Sequence, residues 1–202
     1  MIAILDYGSG NLRSAQRAFE TTGAEVVLTS ERRIALEADG LVVPGVGAFQ
    51  SCMNGLLAIG GEEIIRERYS KERPTLGICI GMQILFSDGL EHSQGSKASI
   101  EGVGVWKGTV SKLSAPILPH MGWNTVVAPK DSVLFEGIEN ESFYFVHSYA
   151  AKEAVGRTVT WTEYGETFVS AVEDGAMSAT QFHPEKSGSV GLTLIRNWTR
   201  SL

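Results

Sequence analysis

No Cys-x-x-Cys or His-x-x-x-His spacing occurs in the chain, which removes the usual zinc-ligand patterns and any metal reading built on them. Apolar runs are short, and none approaches the roughly 18 to 20 residues that a membrane span requires. Only two cysteines are present, Cys52 and Cys79, too few for a disulfide scaffold, so each thiol is judged by its own surroundings. A basic surplus is missing as well: 17 Lys and Arg against 23 Asp and Glu leave a net charge of -6, and no overall positive field draws in nucleic acid or anionic lipid. The opening Met1-Ile2-Ala3-Ile4-Leu5 meets Asp6 too early, and lacks the basic lead, for a secretory signal. These absences point to a cytoplasmic protein with no cofactor, metal, membrane or nucleic-acid partner.

What is present is ordinary globular usage, 43% hydrophobic and 20% charged, enough to bury a core. A chain of 202 residues fits one domain, residues 1–202. The first half alternates short apolar strands, at 2–7, 25–29, 41–43 and 75–78, with helical patterns, the signature of parallel βαβ units. Leu12, Ala15, Ala18 and Phe19 recur at helical spacing, and Gly23 stands where a helix ends. A second helix is expected over 62–71, stopped by Pro74. After about residue 101 the texture becomes β-rich, at 104–113, 124–128, 142–150, 158–162, 168–173 and 177–182. Val190, Leu192, Leu194, Ile195 and Trp198 then describe an amphipathic closing helix. The expected fold is α/β: a mostly parallel central sheet flanked by helices, with added antiparallel strands.

Thr75-Leu76-Gly77-Ile78-Cys79-Ile80-Gly81-Met82-Gln83 reads as a strand running through Gly-x-Cys-x-Gly into a helix. This is the cysteine form of the nucleophile elbow, where two glycines permit a sharp turn that displays the nucleophile. At a helix start, unpaired backbone N–H groups favour a thiolate and can hold an oxyanion. A buried packing thiol needs no such turn, so Cys79 is the candidate nucleophile, while Cys52 in Gln50-Ser51-Cys52-Met53 is read as packing. Of the histidines at 92, 120, 147 and 183, only His183 carries its own orienting acid. In an extended His183-Pro184-Glu185 the two side chains point the same way, so Glu185 can fix the imidazole as the third member of a triad does. His147 is a rival base with no acid nearby, and His92 and His120 are read as solvated or loop residues. Gly8-Ser9-Gly10 follows a strand like a dinucleotide loop, but Arg13 replaces the third glycine. That turn is left to packing or a partner surface.

These residues resemble the class I glutamine amidotransferases, and more narrowly the glutaminase subunits of imidazole glycerol phosphate synthase. Gly77-Ile78-Cys79-Ile80-Gly81-Met82-Gln83 and His183-Pro184-Glu185 belong to the whole class. Narrower matches are Asp6-Tyr7-Gly8-Ser9-Gly10-Asn11-Leu12, Pro44-Gly45-Val46-Gly47-Ala48-Phe49, Pro119-His120-Met121-Gly122-Trp123-Asn124, Tyr144-Phe145-Val146-His147-Ser148-Tyr149 and the continuation through Lys186-Ser187-Gly188. The resemblance implies that Cys79 attacks the glutamine side-chain amide, giving a γ-glutamyl thioester and ammonia, with His183 moving the protons. It implies an oxyanion hole from the N–H groups of Ile80 and Gly47, though Gly45 also suits a plain strand-ending turn. It implies Gln83, Glu91, His147, Ser148 and Tyr149 as glutamine contacts. It further implies a heterodimer with a (β/α)8-barrel cyclase that uses the ammonia to form imidazole glycerol phosphate and aminoimidazole carboxamide ribotide. No synthase segment follows the glutaminase pattern, so that chemistry is expected on a separate chain. Asn11, Trp123, Tyr144 and Lys186 are expected near the interface, although Trp123 suits ordinary core packing equally well. The competing readings are the glutaminase of another synthase, a catalytically dead binding domain, and a peptidase or γ-glutamyl hydrolase on the same scaffold.

Overall fold

A computed structural model describes residues 1–91 and 98–202. The first half runs β1 (Ile2–Leu5), α1 (Leu12–Glu20), β2 (Val26–Thr29), α2 (Arg32–Glu37), β3 (Gly40–Gly45), α3 (Phe49–Ala58), α4 (Gly61–Ser70), β4 (Thr75–Cys79) and the short α5 (Ile80–Gln83). It continues through β5 (Phe86–Gly89), β6 (Ile100–Glu101), β7 (Trp106–Lys112), β8 (His120–Thr125), β9 (Ser142–His147) and β10 (Tyr149–Ala151). The last elements are β11 (Thr158–Tyr164), β12 (Glu166–Asp174), β13 (Met177–Thr180), a 3-10 turn over Pro184–Lys186, and α6 (Gly188–Arg200).

The main sheet has seven strands in the order β11-β12-β13-β4-β3-β1-β2. Its β13-β4-β3-β1-β2 portion is parallel, while β11 and β12 add antiparallel at one edge. Strands β1, β3, β4 and β13 are buried along their whole length, as expected where helices cover both faces of a parallel sheet. The remaining strands do not all extend this sheet, as the sequence had suggested. A four-stranded sheet, β10-β7-β5-β6, and the β8-β9 hairpin stand apart from it.

Local sequence explains the limits of α1. Asn11 caps α1 by accepting the Ser14 N–H at 3.4 Å, and Gly23 follows its end at φ +85°. Trp198 of α6 meets Phe19 of α1 edge-on, with ring centroids 5.7 Å apart, so the closing helix packs on the opening one. Two helices, α2 and α3, were absent from the sequence reading. In α3 the signal is masked by Gly55, which is there for close approach: a Cβ would collide with the Tyr7 carbonyl. The strand expected over 124–128 lies earlier, at β8, with Val127 making only an isolated bridge to Trp161.

Arg68 of α4 is wholly buried. Its guanidinium donates to the carbonyls of Ala35, Leu36, Ala38, Asp39 and Pro74 and to Thr75 Oγ1, tying α2 and the start of β4 to α4. Burial brings its pKa down to about 10. Among the described residues, no helix is long and apolar enough to cross a membrane.

Candidate active site

Cys79 ends β4 in a left-handed conformation, φ 57° and ψ -113°, which few non-glycine residues adopt and which tends to mark functional turns. The glycines around it are steric necessities. A Cβ on Gly81 would collide with the Val43 carbonyl, one on Gly77 would lie 2.7 Å from the Gly81 oxygen, and one on Gly45 2.5 Å from the Gly81 nitrogen. Strands β3 and β4 pair Gly45 with Cys79, which brings the Pro44–Gly47 segment beside Cys79. Helix α5 is four residues long, a single turn, so few aligned peptide dipoles stand behind the thiol.

Strand β13 runs parallel to β4 with Thr180 opposite Ile78, so the chain leaves it as Gln181-Phe182-His183 alongside Cys79. His183 Nδ1 and Glu185 Oε1 are 2.7 Å apart, with both side chains almost fully buried. The His183 N–H donates to the Tyr144 carbonyl at 3.0 Å. Ser187 Oγ accepts the Tyr144 N–H at 3.0 Å and donates to the His183 carbonyl at 2.6 Å. Burial pulls the imidazole pKa down, but hydrogen bonding and charge from Cys79 and Glu185 outweigh it and push it up to about 10. With Nδ1 held by Glu185, Nε2 is the ring nitrogen left for another partner, and Cys79 is among the groups that raise the imidazole pKa.

These groups face a cavity of about 260 Å³. Gly47, Cys79, Ile80, Gln83, Glu91, His147, Ser148, Tyr149, His183 and Lys186 all line it. Glu185 stands behind His183, on a small cleft that also touches Asn11. Gln83 donates from Nε2 to the Tyr149 carbonyl at 2.8 Å and to Gln181 Oε1 at 2.9 Å, while its buried Oε1 has no partner. Glu91 Oε2 accepts the Phe49 N–H at 3.2 Å, capping α3, which has no side-chain cap of its own. Burial raises the Glu91 pKa, with the Phe49 hydrogen bond opposing it.

Two histidine readings change. His120 is neither solvated nor in a loop: it lies on β8, 3% exposed, stacked on Tyr164 at 4.0 Å and Phe145 at 4.8 Å between centroids. Its Nδ1 meets His147 Nε2 at 3.0 Å. His147 Nδ1 in turn donates to the Tyr149 carbonyl at 2.9 Å, so both ring nitrogens are engaged. Burial holds His147 down to about 3 and His120 down to about 4. A neutral ring with both nitrogens occupied is no rival base; it is a wall of the pocket. His92 lies outside the described residues.

The Gly8-Ser9-Gly10 turn braces the segment beside Cys79. Ser9 Oγ donates to the Val46 carbonyl at 2.9 Å, accepts the Val46 N–H at 3.1 Å and lies 3.0 Å from Cys52 Sγ. The Tyr7 hydroxyl donates to the Pro44 carbonyl. Cys52 is buried on α3, and burial raises its pKa, which suits packing. Asn11, Trp123 and Tyr144 lie outside the cavity lining. Trp123 is 58% exposed, not core, with its ring 6.3 Å from that of Tyr144. One residue beside Cys79 has no role assigned from the sequence: Gln181, wholly buried, whose Nε2 lies 3.8 Å from Cys79 Sγ. Its position beside His183 in the motif was the available signal. No group of three or more His, Cys, Asp or Glu placed to hold a metal ion occurs among the described residues.

The family model described as glutamine amidotransferase class-I matches residues 3–201. The chain is 54% identical to the imidazole glycerol phosphate synthase subunit HisH of Mycolicibacterium paratuberculosis, over 100% of this chain and 98% of the relative. It is 55% identical to the protein of the same name from Nocardia farcinica, with the same coverage. Among solved structures, a glutamine amidotransferase superposes with a TM-score of 0.75 at 19% identity, covering 98% of this chain and 97% of the other.

Proposed function

Since the chain belongs to the class I glutamine amidotransferase family, we propose that it hydrolyses glutamine through Cys79, His183 and Glu185 and supplies the ammonia to a separate cyclase subunit in histidine biosynthesis. The observation that carries this is the strained Cys79 turn beside a buried His183–Glu185 pair at 2.7 Å, facing a cavity of about 260 Å³. The thiolate attacks the side-chain amide carbon of glutamine, forming a C–S bond and an oxyanion. The N–H groups of Ile80 and Gly47 receive that charge. Protonated His183 gives its proton to the amide nitrogen, the C–N bond breaks and ammonia leaves. Neutral His183 then takes a proton from water, whose oxygen attacks the thioester. Glutamate departs, and the thiolate and imidazolium return.

Gln83 Oε1, a buried acceptor without a partner, is suited to take an N–H of the bound glutamine. Glu91 supplies negative charge toward the substrate's ammonium end. The Tyr149 carbonyl already accepts from Gln83 and His147, so the 147–149 wall contributes shape and the remaining groups of Ser148 and Tyr149. Relatives named as subunits of a synthase support a partner chain. The partner face proposed here is the exposed side of β8-β9, where Met121 and Trp123 are 65% and 58% exposed, together with Tyr144, Lys186 and Asn11. Tyr144 and Lys186 flank His183 directly, which suits short-range delivery of ammonia to a barrel. A cytoplasmic setting fits this role.

Glutamate release is measured with the chain alone and with a candidate cyclase plus its nucleotide substrate, alongside Cys79→Ala. Strong activation that the variant abolishes is the expected result. Activity indifferent to that cyclase moves the glutaminase to another synthase, and inactivity in every setting overturns the enzymatic reading.

A further inference from the structure

A thiolate nucleophile at the start of a one-turn helix draws little from the helix dipole, since the dipole grows with the number of aligned peptides. Side-chain donors around the sulfur therefore matter more here than the elbow motif suggests. Among the described residues, the side chains beside Cys79 Sγ are His183 and Gln181, whose Nε2 lies 3.8 Å from the sulfur.

Which end of the Gln181 amide faces the sulfur follows from its neighbours. The Tyr149 carbonyl can only accept, so the Gln83 atom 2.8 Å from it is the donor nitrogen. That same nitrogen lies 2.9 Å from Gln181, and the Gln181 atom it meets must therefore be the acceptor Oε1. The other Gln181 atom, the one toward Cys79, is then the NH2 group. The assignment holds without reference to the sulfur, and a flip of Gln181 would set donor against donor. Both glutamine side chains are buried, at 1% and 0% exposure, so water does not compete for these bonds.

We propose that Gln181 is a catalytic residue whose Nε2–H donates to the Cys79 thiolate, with Gln83 positioning it by holding Oε1. This rests on the reading of Cys79 as nucleophile. The donor favours the thiolate before attack and gives up most of that interaction when the sulfur pair enters the C–S bond. A thiolate stabilised in this way is more abundant but less nucleophilic, by a Brønsted coefficient of about 0.4 to 0.5. Removing the donor therefore moves reactivity in opposite directions on the two sides of its midpoint.

The test is the pH dependence of Cys79 carboxamidomethylation by iodoacetamide in the full chain, with the labelled residue assigned by mass spectrometry. Gln181→Met removes the donor at similar size. Gln181→Glu keeps the oxygen that Gln83 needs and replaces only the group facing the sulfur. In both variants the acid-side midpoint is expected to rise by one pH unit or more. The rate below the midpoint falls, and for Gln181→Met the plateau above it rises about threefold for each pH unit by which the midpoint moves. Turnover of glutamine in the cyclase complex falls at least tenfold at neutral pH, with KM changed less than threefold. Loss of packing alone would lower reactivity at every pH without moving the midpoint. If Gln181→Glu fails to fold, Gln181→Met carries the test. A folded variant with an unchanged midpoint overturns the proposal, whereas a wild-type Cys79 that does not react at any pH overturns the nucleophile reading beneath it.

Discussion

Glu185 contributes charge as well as orientation. Its Oε1 fixes His183 through Nδ1 at 2.7 Å, and its carboxylate is one of the groups that hold the imidazole protonated up to about 10 against the pull of burial. Glu185→Gln keeps an oxygen to accept from Nδ1 and deletes the charge. Without it the imidazolium is less favoured, and so is the thiolate that pairs with it. The acid limb of kcat/KM for glutamine is then expected to move to higher pH and the basic limb to lower pH, narrowing the profile. Proton transfer of this kind is worth about 10²- to 10⁴-fold, and a kcat loss in that range is expected from steady-state assays of the cyclase complex across pH 5 to 10. An unchanged profile width would assign Glu185 to orientation alone.

At the scale of elements, the site is the meeting of β3, β4 and α5, and Gly45, Gly77 and Gly81 let them meet. Gly81→Ala puts a methyl group into the Val43 carbonyl, backbone against backbone, with no flexible side chain to yield. A loss of about 3 kcal/mol or more is expected, a fall in Tm of about 6 to 12 °C for a chain of this size. Gly47 sits at φ +90° with nothing within 4 Å of its missing Cβ, so Gly47→Ala bears only the left-handed penalty of about 1 to 2 kcal/mol. Thermal melts of the two variants side by side separate collision from backbone strain. This difference also shows what was legible beforehand. The elbow, the parallel strands and the closing helix are local patterns, and they read directly. The proximity of His183 to Glu185 holds as well, at 2.7 Å, but through a 3-10 turn over Pro184–Lys186 and not through the extended segment expected from the sequence. Unread features depend on partners far along the chain: Glu91 capping α3 through Phe49, His120 meeting His147 through the β8-β9 register, and Gln181 reaching Cys79 across β13 and β4. Helix α3 hides because Gly55 answers to Tyr7, forty-eight positions away, and not to helix propensity.

At the scale of the molecule, the buried His120–His147 pair makes stability depend on acid. Both rings are held neutral, down to about 4 and about 3, by burial that disfavours the charged form. In the unfolded chain each recovers a pKa near 6.5. Between these values the unfolded state binds more protons than the folded one, so stability falls as pH drops through about 6.5 and keeps falling toward 4. The slope is about 1.4 kcal/mol per pH unit for each ring that stays neutral. The geometry reinforces the sign. His120 Nδ1 faces His147 Nε2 at 3.0 Å, where one proton makes a hydrogen bond and a second sets two donors face to face. The Asn124 Nδ2 at 3.2 Å from His120 Nε2 is oriented by the Thr125 N–H on its oxygen and the Glu163 carbonyl on its nitrogen, so the outer edge of the pair is also committed to accepting. His120→Phe keeps the stack between Tyr164 and Phe145 and removes one titrating ring. Urea denaturation at pH 7 and pH 5 is expected to show a wild-type loss about 1 to 2 kcal/mol larger than that of the variant. Equal losses would mean that His120 takes up a proton without leaving the folded state, and that the pair is more open to water than its burial implies.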